Sequence, residues 1–202
     1  RSGSDRLFGD RGRDTLIGRV GDDRLNGGSG KDLLKGGPGQ DVLIGRAGPD
    51  RLKGGGCDDL LKGRAGRDIL QGQGGNDRLY GCSGSNQFFG QGGRDLLAGG
   101  GQRDLLYGGI DDDLLDGSDT LDGGQGDDVM TGGTGANTFV FATGADRITD
   151  FDTGLDRLSL ESDLWDGNLI PADVLFLYAT VVGSDTVLDF GGGNRLTLDH
   201  IT

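Results

Sequence analysis

From Leu7 to Phe139 a large apolar side chain returns every ninth residue, with polar and glycine-rich stretches between. The column is Leu at 13 of 16 positions, with Phe88, Met130 and Phe139 at the others, and it slips once, arriving three residues early at Leu121. A period of nine fits neither the 3.6-residue helix nor one long alternating strand. It fits a chain that makes a short extended segment, turns, and makes another. Neighbouring side chains of an extended segment face opposite ways, so the apolar residue points inward and its two flanks outward. The pattern predicts three-residue strands centred on these positions, separated by six-residue turns. A fixed period over so many units marks a solenoid.

The turns are phased as strictly as the core. An aspartate stands two residues before each apolar plug, at Asp5, Asp14, Asp23, Asp32, Asp41, Asp50, Asp59, Asp68, Asp77, Asp95, Asp104 and Asp113, with Asn86 taking one place in the series. After a shortened repeat at Asp119 the phase resumes at Asp128 and Asn137. In the 14 full repeats from Gly9 to Val140 the first position is always Gly. The fourth is Gly in 11, the departures being Cys57, Gln102 and Asp111, and the second is Gly in only seven. This ranking predicts that the first position needs a positive φ or a close backbone approach, while the second accepts a side chain.

Composition agrees with turns rather than helices. The 202 residues include 45 Gly, and 32 Asp stand against a single Glu, Glu161. Low hydrophobicity with a net charge of −13 is also the composition of disorder, which the register of the repeats argues against. The negative balance disfavours nucleic acid, whose phosphates need a basic surface. No apolar run is long enough to span a membrane, and no secretory signal peptide opens the sequence. A first residue other than Met, partway through a repeat, leads us to expect a fragment of a longer protein.

The stretches GGSGKDLLK (27–35) and GGPGQDVLI (36–44) show the full pattern G-G-x-G-x-D-x-U-x, with U a large apolar residue. Carried through residues 1–140, it resembles the calcium-binding nonapeptide of the RTX (repeats-in-toxin) proteins. The resemblance implies an all-β fold, a right-handed parallel β-roll solenoid in which two units, 18 residues, close one coil. Seven to eight coils rising about 4.8 Å each make a rod of roughly 35 Å. That stacking places Asp32 beside Asp50 on one edge and Asp41 beside Asp59 on the other. Carboxylates so close repel and raise one another's pKa unless a cation lies between them. Calcium, a hard ion taking six to eight oxygens, suits aspartates flanked by glycine carbonyls.

By the resemblance, several Ca2+ ions stack along both edges, each held by two aspartates and turn carbonyls. The pairs carried over by register are 5/23, 14/32, 23/41, 32/50, 41/59, 50/68, 59/77, 77/95 and 95/113, with Asp104 and Asp128 as further ligands. The glycines implied in the same turns are Gly18, Gly27, Gly36, Gly45, Gly54, Gly63, Gly72 and Gly90 at the first position. At the fourth they are Gly21, Gly30, Gly39, Gly48, Gly66, Gly75 and Gly93. Asn86, Asn137, Gln102, Asp111 and the short repeat Asp116–Asp119 predict weak sites around 68/86, 86/104 and 104/119. Arg46 and Arg64, 18 apart, either lend charge to the aspartates or are solvated surface. One inward plug per unit is a thin core, and burying it stabilises less than ordering nine residues costs. We therefore expect calcium to drive folding.

Other chemistry is sparse. His200 is the only imidazole, which disfavours zinc and copper. Cys57 and Cys82 fall on opposite edges, beyond disulfide reach. There is no H-E-x-x-H and no G-x-S-x-G, so no catalytic site is expected within the chain. Outward apolar residues such as Val42, Ile44, Tyr80, Phe89, Leu105, Tyr107 and Leu114 reflect strand propensity or a contact surface.

From about residue 142 the rhythm changes, giving an expected division into a roll (1–141) and a β-rich cap (142–202). Alternating segments at 146–151 and 156–160, a hairpin through Gly183-Ser184 and a strand at 195–198 follow, with short helical turns expected at 162–165 and 171–175. The string DRITDFDTGLDRLSL resembles the segment after the repeats in serralysin-type proteases and other RTX exoproteins. That implies an extracellular, bacterial protein exported by a type I secretion apparatus. The expectation is a calcium-dependent folding and secretion module. The alternatives are a non-catalytic module of a larger extracellular enzyme (protease, lipase or mannuronan epimerase), or an adhesin meeting a polysaccharide or cell surface.

Overall fold

The structure, a computed structural model, describes residues 3–117, 119–160 and 179–201, and contains strands and turns but no helix among them. The strands alternate between two sheets. One holds β1 (Arg6–Phe8), β3 (Arg24–Ser29), β5 (Val42–Ala47), β7 (Leu60–Ala65), β9 (Arg78–Ser83), β11 (Leu96–Gly101), β13 (Leu114–Asp116), β15 (Val129–Thr131) and β17 (Ala145–Ile148). The other holds β2 (Thr15–Ile17), β4 (Leu33–Pro38), β6 (Arg51–Gly56), β8 (Ile69–Gly74), β10 (Gln87–Gly92), β12 (Asp104–Ile110), β14 (Asp119–Gln125), β16 (Thr138–Phe141) and β18 (Arg157–Leu160). Within each, neighbours pair in parallel at an offset of 18, as Leu43 with Leu61 and Leu52 with Leu70. The fold is a parallel β-roll of 18-residue coils.

Nine strands, β3 to β11, are six residues long, not three. The parallel ladder runs on through the first residues of the next turn, pairing Gly28 with Arg46 and Gly37 with Gly55. The short repeat is absorbed in one coil: Asp104 pairs with Asp119 and Leu114 with Val129, an offset of 15, before Thr120 pairs with Thr138 at 18. Gly117 closes that coil against Leu106, whose methyl carbons would lie 3.2–3.3 Å from any added Cβ.

The core is the apolar column itself. Leu34, Leu43, Leu52, Leu61, Leu70, Leu79, Phe88, Leu97, Leu106 and Leu115 are fully buried, one per half-coil. Outward neighbours are mostly half-buried by the coils beside them; Phe89 and Tyr107, paired across β10 and β12, stack at 5.3 Å.

Both parallel sheets continue past residue 141 through β17 and β18. The first sheet then gains β19 (Ala179–Val182), β20 (Asp185–Gly191) and β21 (Asn194–Leu198), β21 parallel to β17 and the other joints antiparallel. Leu188 and Leu196 bury against the end of the column, Phe141 stacks on Phe190 at 5.5 Å, and Arg147 bonds Asp199 at 2.8 Å. The helical turns expected at 162–165 and 171–175 lie outside the described residues.

An inward plug and an outward strand residue should differ sharply. Leu70→Ala should cost the folded chain about 2–5 kcal/mol and Leu105→Ala under about 1 kcal/mol, read by thermal unfolding with calcium present. Equal losses would contradict the inward–outward assignment.

Candidate metal centre

Within the column, turn aspartates are fixed by hydrogen bonds that stitch neighbouring coils. The Oδ1 of one accepts the backbone N–H of the aspartate one coil earlier, and its own N–H donates to Oδ1 of the next. All nine register pairs show this bond, at 2.7–2.9 Å, as from Asp32 N–H to Asp50 Oδ1 and from Asp41 N–H to Asp59 Oδ1. Asp104 receives Asn86 N–H and Asp128 receives Asp113 N–H, each at 2.7 Å.

The second oxygen, Oδ2, folds back over the first glycine of its own turn. A methyl on Gly27 would sit 2.6 Å from Asp32 Oδ2 and 3.0 Å from the Gly45 carbonyl oxygen. The invariance of this position thus comes from the carboxylate's space, because its φ is not positive. Gly18, Gly36, Gly45, Gly54, Gly63, Gly72 and Gly90 are buried in the same way. Positive φ belongs to the second and fourth positions. At Gly30 φ is 139°, and a Cβ would run into the Gly12 carbonyl of the neighbouring coil. Gly21, Gly39, Gly48, Gly66, Gly75 and Gly93 share that place, with φ of 106–149°. Cys57, Gln102 and Asp111 stand there at 75–80°, closer to the left-handed helical well that a residue with a Cβ can reach.

Oδ2 of Asp14, Asp23, Asp32, Asp41, Asp50, Asp59, Asp68, Asp77, Asp95, Asp113, Asp128 and Asp146 is buried and has no hydrogen-bond partner among the described residues. Such orphans are costly unless something else meets them. Asn86 shows what that is. Its Oδ1 accepts Asp68 N–H at 3.0 Å while its Nδ2 donates to the fourth-position carbonyl of Gly84 at 2.9 Å. A methyl on Gly81 would lie 2.6 Å from that nitrogen, so Nδ2 occupies the place that Oδ2 takes elsewhere. Where the amide nitrogen stands, the carbonyl has a donor. Where Oδ2 stands, carboxylate and carbonyl oxygens face one space, and only a cation or a proton satisfies both. At Asn137, Nδ2 donates to Asp156 Oδ1 at 3.0 Å and to the Gly135 carbonyl at 3.5 Å.

The donors are therefore aspartate and carbonyl oxygens, a set that suits a hard cation such as Ca2+. No group of three or more His, Cys, Asp or Glu side chains gathers among the described residues, so pairs and carbonyls would hold it. Burial is the main force raising these carboxyls, opposed by the stitching N–H and assisted by neighbouring carboxylates. Asp59 is pushed up to about 8, with Asp77, Asp41 and Asp58 adding to the burial effect. Asp113 also reaches about 8, Asp50 and Asp95 about 7, and Asp41, Asp68, Asp77 and Asp128 about 6.

Asp146 belongs to the same column and was missed from sequence. It is buried, accepts Asp128 N–H at 3.1 Å, and burial raises its carboxyl to about 8. The signal was its phase: Gly144, Asp146 and Ile148 keep the fourth, sixth and eighth places of a repeat whose first glycine has become Phe141. Asp5, at the other end, is exposed. The doubtful pairs 68/86 and 86/104 keep their stitching bonds, while the side chain of Asp119 lies outside the described residues. Arg46 and Arg64 are exposed neighbours, Arg46 bonding Asn26 Oδ1 at 2.8 Å, as surface residues do. Cys57 and Cys82 are free and exposed.

The fold and turn chemistry define a repeat solenoid whose turns are built around buried aspartate pairs. A family model described as the RTX calcium-binding nonapeptide repeat, four copies, matches residues 1–34, 35–70, 58–88, 80–115 and 115–148. The chain belongs to that family. Among solved structures it is similar to the extracellular lipase LipA from Serratia marcescens, with 21% identity over 95% of this chain and 38% of that one, at a TM-score of 0.36. The chain thus spans well under half of that lipase's length. No curated protein matches it.

A carboxyl raised from 3.8 to about 6–8 binds a proton in the metal-free roll that the unfolded chain has released, so acid favours the roll between about pH 4 and 8. In calcium-free buffer the β signal in circular dichroism should grow on going from pH 8 to pH 5. A signal that weakens over that interval would show that these carboxyls are not held in the stack described.

Proposed function

We propose that the chain is a calcium-driven folding module of an extracellular protein, residues 1–141 forming the ion-loaded roll and 142–202 its cap. The observation that carries this is the row of buried Oδ2 atoms facing turn carbonyls. Each ion lies between successive turns on one edge, taking oxygens from the aspartate pairs named above and from the first- and fourth-position glycines. Asp146 extends the column beyond Asp128. Without calcium the stacked carboxylates repel and the thin leucine column cannot hold the coils together. With it they become the joints of the rod.

This behaviour suits passage through a type I secretion apparatus, which the family resemblance implies: unfolded where calcium is scarce, folded outside. The hairpin β20–β21 supports the capping role, because it places Leu188 and Leu196 against the last plug. We assign the chain no catalytic step. Ser184 Oγ lies 3.4 Å from His200 Nδ1, but Asp185 Oδ1 accepts bonds from Ser184 and from the His200 backbone rather than from the imidazole, and the serine and histidine are exposed.

The deciding experiment is a far-UV circular dichroism titration from chelator to millimolar calcium, with magnesium as control. A cooperative gain of β signal with calcium alone is expected; a β spectrum unchanged in chelator would sink the proposal. Counting bound calcium by equilibrium dialysis refines it. Asn86→Asp should raise the number of ions per chain and Asp77→Asn should lower it; two unchanged counts would refute the assigned positions.

A further inference from the structure

We infer that the face carrying β4, β6 and β8 binds an anionic polysaccharide through a cationic recess beside one turn edge. Arg13, Lys31, Lys35, Arg51, Lys53 and Arg67 line a recess of about 400 Å³ that crosses four successive coils. Three of the four lysines in the chain are among them. None of the six makes an ion pair or a side-chain hydrogen bond among the described residues, whereas Arg147 and Arg46 each have a partner. Lys35 and Lys53 stand directly opposite one another across the strand pair, an arrangement that destabilises a sheet unless an anion lies over it.

The charge differs between the two edges. Arg13, Lys31 and Arg67 occupy the fifth place of stacked turns. On the other edge that place carries one cation, Arg94, against Asp22, Asp58, Asp112 and Asp127, whose carboxylates accept backbone N–H bonds from the next coil at 2.7–3.0 Å. The carboxylates at the recess, Asp32 and Asp50, are buried turn aspartates. Calcium between them would therefore add to the positive potential of the recess. The net charge of −13 does not oppose this. Of the 33 acids, 15 stand in the turn column, and the remaining 18 are outnumbered by 20 cations. Once the column is neutralised, the chain's remaining charge no longer repels a polyanion.

The floor selects among polyanions. It is made by Leu33, Ile69 and Pro49, without an aromatic ring. Single-stranded nucleic acids rely on stacking against aromatic side chains. The carboxylates of a polyuronate chain reach guanidinium and ammonium donors without needing a ring to stack on. Cations repeating at the coil spacing of about 4.8 Å match a chain that carries a carboxylate at regular intervals along its length.

The recess exists only where coils are stacked, so the inference rests on the calcium-loaded roll. The test uses the whole chain at millimolar free calcium, with circular dichroism on every sample and fluorescence anisotropy of a labelled oligoglucuronate. Neutral dextran and single-stranded DNA of matched length serve as competitors. Unlabelled oligoglucuronate should displace the probe and the other two should not. The double variant Lys35→Glu, Lys53→Glu should weaken binding about tenfold, while Arg78→Glu on the opposite face should change it by less than about twofold. Unchanged affinity in the double variant, or equal competition by dextran or DNA, would overturn the inference. A spectrum already β without calcium, together with the expected variant contrast, would instead refute calcium-driven folding and leave the recess standing.

Discussion

The molecule depends on one oxygen atom per turn. Column aspartates such as Asp32, Asp50 and Asp59 give Oδ1 to a neighbour's N–H, which leaves Oδ2 buried beside glycine carbonyls with no donor among the described residues. Invariant glycine at the first position follows from this oxygen, since any Cβ at Gly27 would occupy its space. So do the raised carboxyl pKa values, which express the cost of burying such groups as anions. Asn86 is the exception that identifies the force. Its amide nitrogen supplies the positive partner that the orphaned Oδ2 atoms lack among the described residues.

Charge and fold are consequently arranged in two layers. The inner layer is the column of carboxylates, buried and stitched from coil to coil; outside the column the sequence carries 20 cations against 18 acids. A count of charges merges the two and describes the protein as strongly acidic. The two edges also differ within the inner layer. Along one, aspartate occupies every place from Asp5 through Asp113 to Asp146; the other is interrupted by Asn86 and Asn137. The shortened coil and both asparagines share that interrupted edge.

Backbone pairing tolerates what the side-chain pattern does not. The three-residue deletion changes the offset from 18 to 15 for one coil and leaves the ladders intact, because parallel hydrogen bonds depend on strand direction and not on the length of the connecting turn. In the same way, Arg19, Arg46, Arg64, Gln73, Cys82 and Gln91 take φ of 80–91° at the second position with their side chains exposed.

Period, phase and residue type were enough to find the coil, the inward plugs, and the aspartates that stack 18 residues apart, because each of these repeats along the chain. Three things were decided in three dimensions. The strands grew to six residues because a coil on each side satisfies the backbone of the turn's first residues as well. Asp146 joined the column although Phe141 stands where its turn's first glycine would be: it is buried and accepts Asp128 N–H like the others. The cationic recess arose because Arg13, Lys31, Lys53 and Arg67 are far apart in sequence and are brought together by stacking. Periodic constraints are written in the sequence one unit at a time; neighbourhoods that cross coils exist only once the coils are stacked.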